Sequence, residues 1–236
     1  MSMRAKKNLQ REKSSYSAKN SAKKNQTGVG KKSKSSLETG SFRIIGGQWR
    51  SRRLSFPVIE GLRPTTDRVR ETVFNWLNAE IQGAHVLDVF SGSGALGLEA
   101  LSRGAASLLA LEKNNQAAKA LQENISLLLP TPLNTIQVQH VDALSLLTNL
   151  KTAGLGCVSG CFSTGFDLVF LDPPFRKAIL EETLELLDGH PCIQAGALIY
   201  VEREKELLGV SFPKNWTLLK EKVAGQVSYQ LFRVNG

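Results

Sequence analysis

Residues 84–112 constrain the fold most strongly, because they have the pattern strand, glycine-rich turn, helix, strand. The first strand is predicted from His85 to Phe90, the helix from Ala95 to Arg103, and the second strand from Ser107 to Leu111. A β-α-β unit of this kind joins two parallel strands of one sheet. We therefore expect an α/β fold built on a mostly parallel sheet.

The glycine turn and the residues that end the two strands indicate the ligand. The turn has the spacing Gly92-x-Gly94-x-x-Gly97, which alone is weak evidence and whose default interpretation is a dinucleotide fold. Asp88, however, places a carboxylate at the end of the first strand, where it disfavours a pyrophosphate and favours a cation such as an α-amino group. Glu112 is placed to accept hydrogen bonds from both ribose hydroxyls. These residues predict a cationic nucleoside rather than NAD.

The stretch FDLVFLDPPF, residues 166–175, is a second candidate for a site. Its short apolar run lies between Gly165 and two prolines, which favours a strand. The prolines restrict their own φ and the residue before each of them, so Asp172 and Phe175 are held in place beyond the strand end. Ligands of open α/β sheets bind at that end of the strands. The alternative is a strand followed by an ordinary proline-rich turn.

The positive charge is concentrated at the start of the chain. Of the net charge of +9, all comes from residues 1–40, which hold eleven Lys and Arg against two Glu. These residues include almost no large apolar side chain, so we expect a disordered basic tail. Three interpretations of the tail stay open: an RNA-binding arm, a solvated leader without a specific role, and a segment with transit-peptide-like composition.

Residues 41–62 are predicted to form a hairpin around Gly46-Gly47. Arginines follow the turn, and a guanidinium group binds phosphate with two hydrogen bonds and stacks on bases. An RNA-binding hairpin is therefore favoured over an ordinary solvated one. The candidate RNA-binding residues, which continue into the next helix, are Arg43, Trp49, Arg50, Arg52, Arg53, Arg63, Arg68 and Arg70.

A helix is predicted to begin after Pro64, with Thr65 and Thr66 at its start and Asp67 at the positive end of its dipole. The helical start is also a candidate cover for a ligand, through Thr65 and Thr66. Apolar residues then recur at helical spacing and are expected to be buried: Val69, Val73, Trp76 and Leu77.

The remaining chain completes an α/β pattern with a different ending. Asp142 follows a predicted strand, where it either accepts a hydrogen bond from an adenine amino group or serves as a loop or helix-cap residue. The other predictions are a helix capped by Asn114 and ended by Pro130, a strand over Thr135–Val141, a loop over Lys151–Gly165, a helix over Leu180–Leu187, a strand over Ala197–Val201, and two strands over Trp216–Val234 around Ala224-Gly225. Such an antiparallel pair is not part of a dinucleotide fold.

Other classes of protein are disfavoured. Three cysteines without framework spacing suit a reducing cytosol, so a cytoplasmic location is expected. Cys157 and Cys161 have no partner pair at ligand spacing, so no metal is expected. No run approaches the roughly 20 apolar residues needed to cross a membrane. We expect a soluble monomer.

Five stretches together resemble a known family. They are RIIGGQWRSRRL, GLRPTTDRVRETVFNWL, LDVFSGSGALGLEALSRGA, FLDPPF and EKVAGQVSY. The chain is similar to the bacterial 16S ribosomal RNA guanine-N2 methyltransferases of the D family from about Arg43 to Val234. The glycine triplet and FLDPPF occur in many methyltransferases, whereas GLRPTTDRVRE is far more specific. The basic leader and the loop over 151–165 exceed what the family would have.

The resemblance implies a class I methyltransferase (Rossmann-like) domain over residues 63–236, with a seven-stranded, mostly parallel sheet and an antiparallel last hairpin. It implies S-adenosylmethionine as cofactor, S-adenosylhomocysteine as product, and 16S rRNA in an assembling 30S particle as partner. Carried onto this sequence, it assigns Asp88, Gly92 and Gly94 to the methionine portion, Glu112 to the ribose and Asp142 to the adenine. The catalytic residues would be Asp172, Pro173 and Phe175.

Two alternative functions stay open at this point. A methyltransferase acting on DNA or on another RNA would use the same Asp-Pro-Pro-aromatic chemistry, although no segment beyond the hairpin is available to read a DNA sequence. A non-catalytic RNA-binding assembly factor would account for the arginines. It would have no need of Asp88, Glu112 and Asp172 at three strand ends.

Overall fold

The computed structural model describes residues 38–62, 65–129, 131, 133–153, 164–174, 179–207 and 209–236. These residues lie in one compact unit, Leu37–Gly236. Nearly all of the basic tail, most of the loop over 151–165, and Arg63, Pro130 and Phe175 lie outside the described residues.

Nine strands are present in the described part of the chain, in two sheets. The strands are β1 (Thr39–Arg43), β2 (Arg53–Pro57), β3 (His85–Asp88), β4 (Ser107–Glu112), β5 (Ile136–His140), β6 (Phe166–Leu171), β7 (Ile193–Glu204), β8 (Trp216–Ala224) and β9 (Val227–Val234). β1 and β2 form an antiparallel pair, and the others form a seven-stranded sheet in the order β5-β4-β3-β6-β7-β9-β8. Strands β3 to β7 are parallel, and β9 runs antiparallel to β7 and β8. The predicted fold class is confirmed.

Helices cover both faces of the large sheet. They are α1 (Asp67–Trp76), α2 (Ala95–Ser102), α3 (Asn115–Leu128), α4 (Ala143–Ala153) and α5 (Ile179–Leu187). Alternate residues of each strand serve the two faces, as Val86 and Leu87 of β3 show. α1, α2, α3 and the hairpin share one apolar core, and α4 and α5 share the other. The sheet is therefore buried on both sides, as parallel sheets are.

Local signals in the sequence account for the helix starts. The Thr66 side chain accepts a hydrogen bond from the Val69 amide at 3.4 Å, which caps α1. Asn114 accepts from the amides of Gln116 and Ala117 at 2.8 and 3.2 Å and caps α3. Both predicted starts are confirmed.

Two elements differ from the sequence predictions. α4 was not predicted, and it continues to Ala153 into the stretch expected to be a loop. β7 begins at Ile193, four residues before the predicted Ala197. Gly196 has φ +85° and the β6–β7 pairing shifts register nearby. This irregularity breaks the alternation by which the first residues of β7 would be recognised.

Buried polar groups dock the hairpin onto α2. The Glu99 carboxylate accepts hydrogen bonds from the amides of Ile45 and Gly46 at 2.7 and 2.8 Å. A Cβ on Gly47 would lie 1.7 Å from the Ser102 carbonyl oxygen, so only glycine permits this approach. Gly46-Gly47 therefore serve as a contact with α2 within a longer connection between β1 and β2, rather than as a tight two-residue turn.

Arg70 lies inside this junction and not on the exposed surface of the hairpin and α1. Its side chain is 0% exposed and forms ion pairs with Asp67 at 2.6 Å and Glu99 at 3.4 Å. It also donates to the carbonyl oxygens of Arg43 at 2.8 Å and Thr65 at 3.2 Å. A buried guanidinium with these partners cannot also reach RNA, so the prediction that Arg70 binds RNA is wrong. The arginine instead joins β1 to the start of α1.

Candidate active site

Three carboxylates converge at the carboxyl edge of the parallel strands. Asp88 ends β3, Glu112 ends β4 and Asp172 directly follows β6. β3 lies between β4 and β6, at the point where the strand order reverses. The negative charges of Asp172 and Glu112 both act on Asp88. The structure thus brings these predicted residues together where open α/β sheets bind ligands.

Asp88 is a buried carboxyl group whose environment suits a cationic ligand. It is 2% exposed, and its Oδ2 accepts a hydrogen bond from the Gly97 amide at 3.2 Å. Burial, followed by the charges of Asp172 and Glu112, raises its pKa from 3.8 to about 7. No ion pair to Asp88 is formed within the described part of the chain. A ligand ammonium group placed here would supply the missing positive charge.

The glycine turn brings the backbone close to Asp88. Gly94 has φ +79° at the start of α2, and a Cβ there would lie 2.3 Å from a methyl carbon of Leu121. A Cβ on Gly97 would lie 3.1 Å from Oδ2 of Asp88. The positive φ of Gly94 favours glycine there, and a side chain at Gly97 would push α2 away from β3 and β4.

Glu112 connects the end of β4 to the glycine turn. Its Oε2 accepts from the Gly92 amide at 2.8 Å and its Oε1 from the Asn114 amide at 2.6 Å. Each carboxylate oxygen can accept two hydrogen bonds, so both retain capacity for the hydroxyls of a ribose. The half-buried side chain is already oriented by the backbone.

Asp142 has structural partners in this structure. Its Oδ2 pairs with Lys113 Nζ at 2.6 Å, and its Oδ1 accepts from the Ser145 amide at 3.2 Å at the start of α4. The hydrogen bond from Lys113 holds the pKa of Asp142 below its usual value, against the opposing effect of burial. The cap interpretation is therefore observed, and contact with an adenine stays a prediction.

Asp172 is held by the start of α1. The Thr65 hydroxyl donates to Oδ2 of Asp172 at 3.2 Å, so Thr65 supports the acid itself, whereas Thr66 caps α1. Burial raises the pKa of Asp172 from 3.8 to about 6, and the Thr65 hydrogen bond opposes this rise. Pro173, the next residue, is buried. The predicted contacts of Thr65 and Thr66 with a cofactor stay predictions.

Sequence reasoning missed a second buried acid beside Asp172. Glu202 in β7 is 4% exposed, and its Oε1 accepts a hydrogen bond from the Tyr200 hydroxyl at 2.6 Å. Burial, followed by the charge of Asp172, raises the pKa of its carboxyl group well above the usual range. The available signal was the carboxylate directly after the predicted end of this strand at Val201, the same pattern that identified Asp88 and Asp172.

Comparison with known proteins identifies the family. A family model described as "Conserved hypothetical protein 95" matches residues 42–233. "Ribosomal RNA small subunit methyltransferase D" of Escherichia coli (strain K12) is 46% identical over 195 residues, which are 83% of this chain and 91% of that protein. The chain belongs to the ribosomal RNA small subunit methyltransferase D family. The methyltransferase D of Haemophilus influenzae is 42% identical over 82% of this chain and 94% of its own length.

Solved structures agree with the methyltransferase D assignment. The Escherichia coli methyltransferase yhhF has a TM-score of 0.70 and 44% identity, and the match covers 83% of this chain and 99% of that chain. A more distant methyltransferase, solved in complex with SAH, has a TM-score of 0.58 and 15% identity, and the match covers 77% of this chain and 53% of that chain. At that identity the likeness is one of fold, and the bound SAH belongs to the other protein.

Exposed arginines lie on the hairpin and on α1. Arg50, Arg52 and Arg53 of the hairpin and Arg68 of α1 are exposed. Arg52 donates to the Leu127 carbonyl oxygen at 3.2 Å, and Arg43 is half-exposed in an ion pair with Asp67 at 3.1 Å. Trp49 is half-buried and packs against the core, so only part of its ring is available for stacking. Arg63 and Phe175 lie outside the described residues, and their predicted contacts with RNA stay predictions.

The described ranges were also searched for metal-binding groups and for helices that could span a membrane. No group of three or more His, Cys, Asp or Glu side chains there is arranged to hold a metal ion. None of the helices in those ranges is both long and apolar enough to span a bilayer.

Proposed function

We propose that this protein transfers a methyl group from S-adenosylmethionine to the exocyclic N2 amine of a guanine in 16S rRNA. The observation that carries the proposal is the convergence of Asp88, Glu112 and Asp172 at three neighbouring strand ends. Membership of the methyltransferase D family supports it. We place the reaction in the cytoplasm, on an assembling small ribosomal subunit.

The residues present fit S-adenosylmethionine. Asp88 would bind its α-ammonium group, the turn containing Gly92 and Gly94 would admit the methionine portion, and Glu112 would bind the ribose hydroxyls. Asp142 would accept from the adenine amino group beside its contact with Lys113. When bound, S-adenosylmethionine supplies a methyl group on a positively charged sulfur, which leaves with the bonding electron pair.

Asp172 would both orient and deprotonate the target amine. Guanine N2 is a weak nucleophile because its lone pair is delocalised into the ring. Hydrogen bonds from the NH₂ group to Asp172 and to the Pro173 carbonyl would localise that pair toward the methyl group, and Phe175 would stack on the base. Asp172 then takes the proton that N2 loses, as a general base. A guanine within an RNA helix must first be flipped out of the helix to reach Asp172.

The proposal is tested by methylation of RNA that lacks the modification. Methyl-labelled S-adenosylmethionine is incubated with the protein and with 16S rRNA or small subunits from a strain in which the gene is deleted. We expect label in N2-methylguanine at one position. Label in DNA alone would overturn the choice of substrate, and the absence both of transfer and of S-adenosylmethionine binding by calorimetry would favour the non-catalytic alternative.

Replacement of Glu112 with alanine is expected to weaken cofactor binding through the ribose. A charge-assisted hydrogen bond contributes about 1.5 to 3 kcal/mol. We expect S-adenosylhomocysteine lacking its 2′-hydroxyl to bind the wild type at least about tenfold more weakly than the intact ligand. The same two ligands should bind the Glu112→Ala variant equally, as measured by titration calorimetry.

This comparison of ligands separates a ribose contact from a structural effect. Glu112 also holds the amides of Gly92 and Asn114, so its loss will loosen the turn and weaken both ligands. The effects of the Glu112→Ala substitution and of the missing 2′-hydroxyl group are non-additive only if the two groups are in direct contact. An equal penalty for the missing hydroxyl in the wild type and the variant would remove Glu112 from the ribose site.

Exposed arginines of the hairpin are expected to position the RNA. The Arg50/Arg52/Arg53→Ala variant should raise the KM for RNA more than tenfold, because these cations are aimed by the docked hairpin. Deletion of residues 1–40, which removes nine net positive charges, should mainly lower the salt dependence of RNA binding. Steady-state kinetics and binding at several salt concentrations would measure both.

The matched control is Lys214/Lys220/Lys222→Ala, which removes three exposed cations at the β8 edge of the sheet. It removes as many charges as the arginine variant, but from a part of the protein outside the hairpin. Only the non-specific attraction for RNA should be lost, so the KM for RNA should change about twofold or less. If the tail deletion abolished methylation at low salt while the arginine variant did not, the tail and not the hairpin would be the segment that positions the RNA.

A further inference from the structure

A path of hydrogen bonds through Arg70 connects the hairpin to the acid that the proposed function uses as a base. The guanidinium group of Arg70 is fully buried, and its Nη2 donates to the Arg43 carbonyl oxygen of β1 at 2.8 Å. Its Nε donates to the Thr65 carbonyl oxygen at 3.2 Å. The Thr65 hydroxyl group in turn donates to Oδ2 of Asp172 at 3.2 Å. These bonds connect β1 with the end of β6.

Two acidic side chains and an aromatic ring fix the orientation of this guanidinium group. Its Nη2 pairs with Asp67 at 2.6 Å and its Nη1 pairs with Glu99 at 3.4 Å. Its Cζ lies 5.5 Å from the centre of the Phe42 ring. A lysine has a single ammonium group at this position and cannot reach carbonyl and carboxylate oxygens in so many directions. The contacts therefore require an arginine.

The backbone of Thr65 depends on this arginine. Thr65 comes before Thr66, the N-cap residue of α1, so it lies outside the hydrogen bonding of the helix. Its hydroxyl group stays on Asp172 only while its backbone keeps its place. The hydrogen bond from Arg70 to the Thr65 carbonyl oxygen supplies that restraint.

We propose that Arg70 is a positioning residue for methyl transfer, which holds the backbone of Thr65 so that the Thr65 hydroxyl group stays on Asp172. This inference rests on the proposed function, because it takes Asp172 as the base. Arg70 acts through Thr65 and touches neither the cofactor nor the RNA, since its guanidinium group is buried.

The hydrogen bond from Thr65 gives the connection a measurable effect on pH dependence. Burial raises the pKa of Asp172 to about 6, and the Thr65 hydrogen bond opposes this rise. Loss of the bond therefore raises the pKa of Asp172 further, and the acid limb of the kcat profile moves to higher pH. The other titratable groups on which the charge of Asp172 acts are Asp88 of β3 and Tyr200 and Glu202 of β7. The substitutions below leave these three groups in place.

The kinetic test is Arg70→Lys, which keeps the positive charge beside Glu99 but loses the restraint on Thr65. At saturating RNA, kcat should fall about tenfold, which corresponds to one charge-assisted hydrogen bond. The acid limb should move to higher pH. Thr65→Val should change both in the same direction, and the double variant should be no slower than the slower single variant. Additive losses would overturn the proposal.

The matched control is Arg103→Lys. Arg103 binds the same Glu99 carboxylate at 2.7 Å, and none of its contacts among the described residues involves Thr65. Loosening of the hairpin should raise the KM for RNA in both lysine variants, whereas only Arg70→Lys should change the pH profile of kcat. A wild-type profile for Arg70→Lys, or equal shifts in the two variants, would overturn the proposal.

NMR on the wild-type protein tests the connection even if Arg70→Lys does not fold. The Nε–H group of Arg70 is buried and hydrogen-bonded, so its slow exchange allows it to be followed during a pH titration. Its resonance should shift as Asp172 titrates near pH 6, and this shift should be lost in Thr65→Val and in Asp172→Asn. No shift in the wild type, or a shift retained in Thr65→Val, would overturn the proposal.

The same titration separates this inference from the proposed function. If the wild type transfers no methyl group to rRNA, the proposed function fails, and the NMR result still decides whether Arg70 and Asp172 are connected. If the wild type is active and the Arg70 resonance is indifferent to Asp172, only the positioning role of Arg70 fails.

Discussion

Replacement of Asp172 with alanine is expected to lower the rate of methyl transfer by about 10²- to 10⁴-fold, the size of a general-base contribution. The loss concerns the transition state, so the affinities for S-adenosylmethionine and RNA should change little. Single-turnover transfer at saturating cofactor and RNA measures it directly. Wild-type turnover in this variant would mean that Asp172 is a structural turn residue.

Two other substitutions test whether Asp172 acts as a base. Asp172→Asn should be milder, because an amide oxygen still accepts one hydrogen bond from N2 but cannot take its proton. The wild-type rate should fall as the pH drops below about 6, where Asp172 becomes protonated, and the asparagine variant should lose that dependence. Asp167→Asn, at the opposite end of β6, is the control and should keep both the rate and the pH profile.

Replacement of Asp88 with asparagine is expected to stabilise the ligand-free protein while abolishing S-adenosylmethionine binding. The pKa of Asp88 is about 7 in the folded protein and 3.8 ordinarily. A raised pKa means that its contribution to stability is fully present below pH 3.8 and is lost as the pH rises through 7. The difference corresponds to about 4 kcal/mol. Asparagine can still accept from Gly97 and has no charge to bury.

Urea unfolding of the ligand-free wild type and variant across this pH range is the measurement. The advantage of the variant should be absent below pH 3.8, grow between pH 3.8 and 7, and stay at its largest value above pH 7. Asp142→Asn is a control of opposite sign, because the pKa of Asp142 is lowered and its ionised form is favoured by Lys113. Equal stability of Asp88→Asn and wild type in the alkaline range would show that the buried charge costs nothing.

The carboxylates of the site were predictable because each follows a run of apolar residues. A charged residue at the end of an apolar run, such as Asp88 or Asp172, marks the end of a buried strand. Parallel strands present those ends at one edge of the sheet. The β-α-β pattern and the final hairpin could be recognised for the same reason, since their periodicity reports burial. Agreement between local patterns and the tertiary fold made these elements visible.

Arg70 shows what such patterns omit. An arginine among other arginines reads as part of an exposed surface, and its burial depends on Glu99, a partner 29 residues away. Glu202 did have a local signal, because it follows an apolar strand as Asp88 does, but its neighbour Asp172 is distant in sequence. Arg70 had none, because the partner that explains its burial lies in another element.

The buried guanidinium of Arg70 has a consequence for how a target is chosen. One side chain binds the Arg43 carbonyl in the hairpin and the Thr65 carbonyl beside the acid, at 2.8 and 3.2 Å. These two bonds fix the distance between the hairpin surface and Asp172. If RNA binds the hairpin and is methylated at Asp172, as proposed, the modified guanine is the one that the folded RNA presents at that distance.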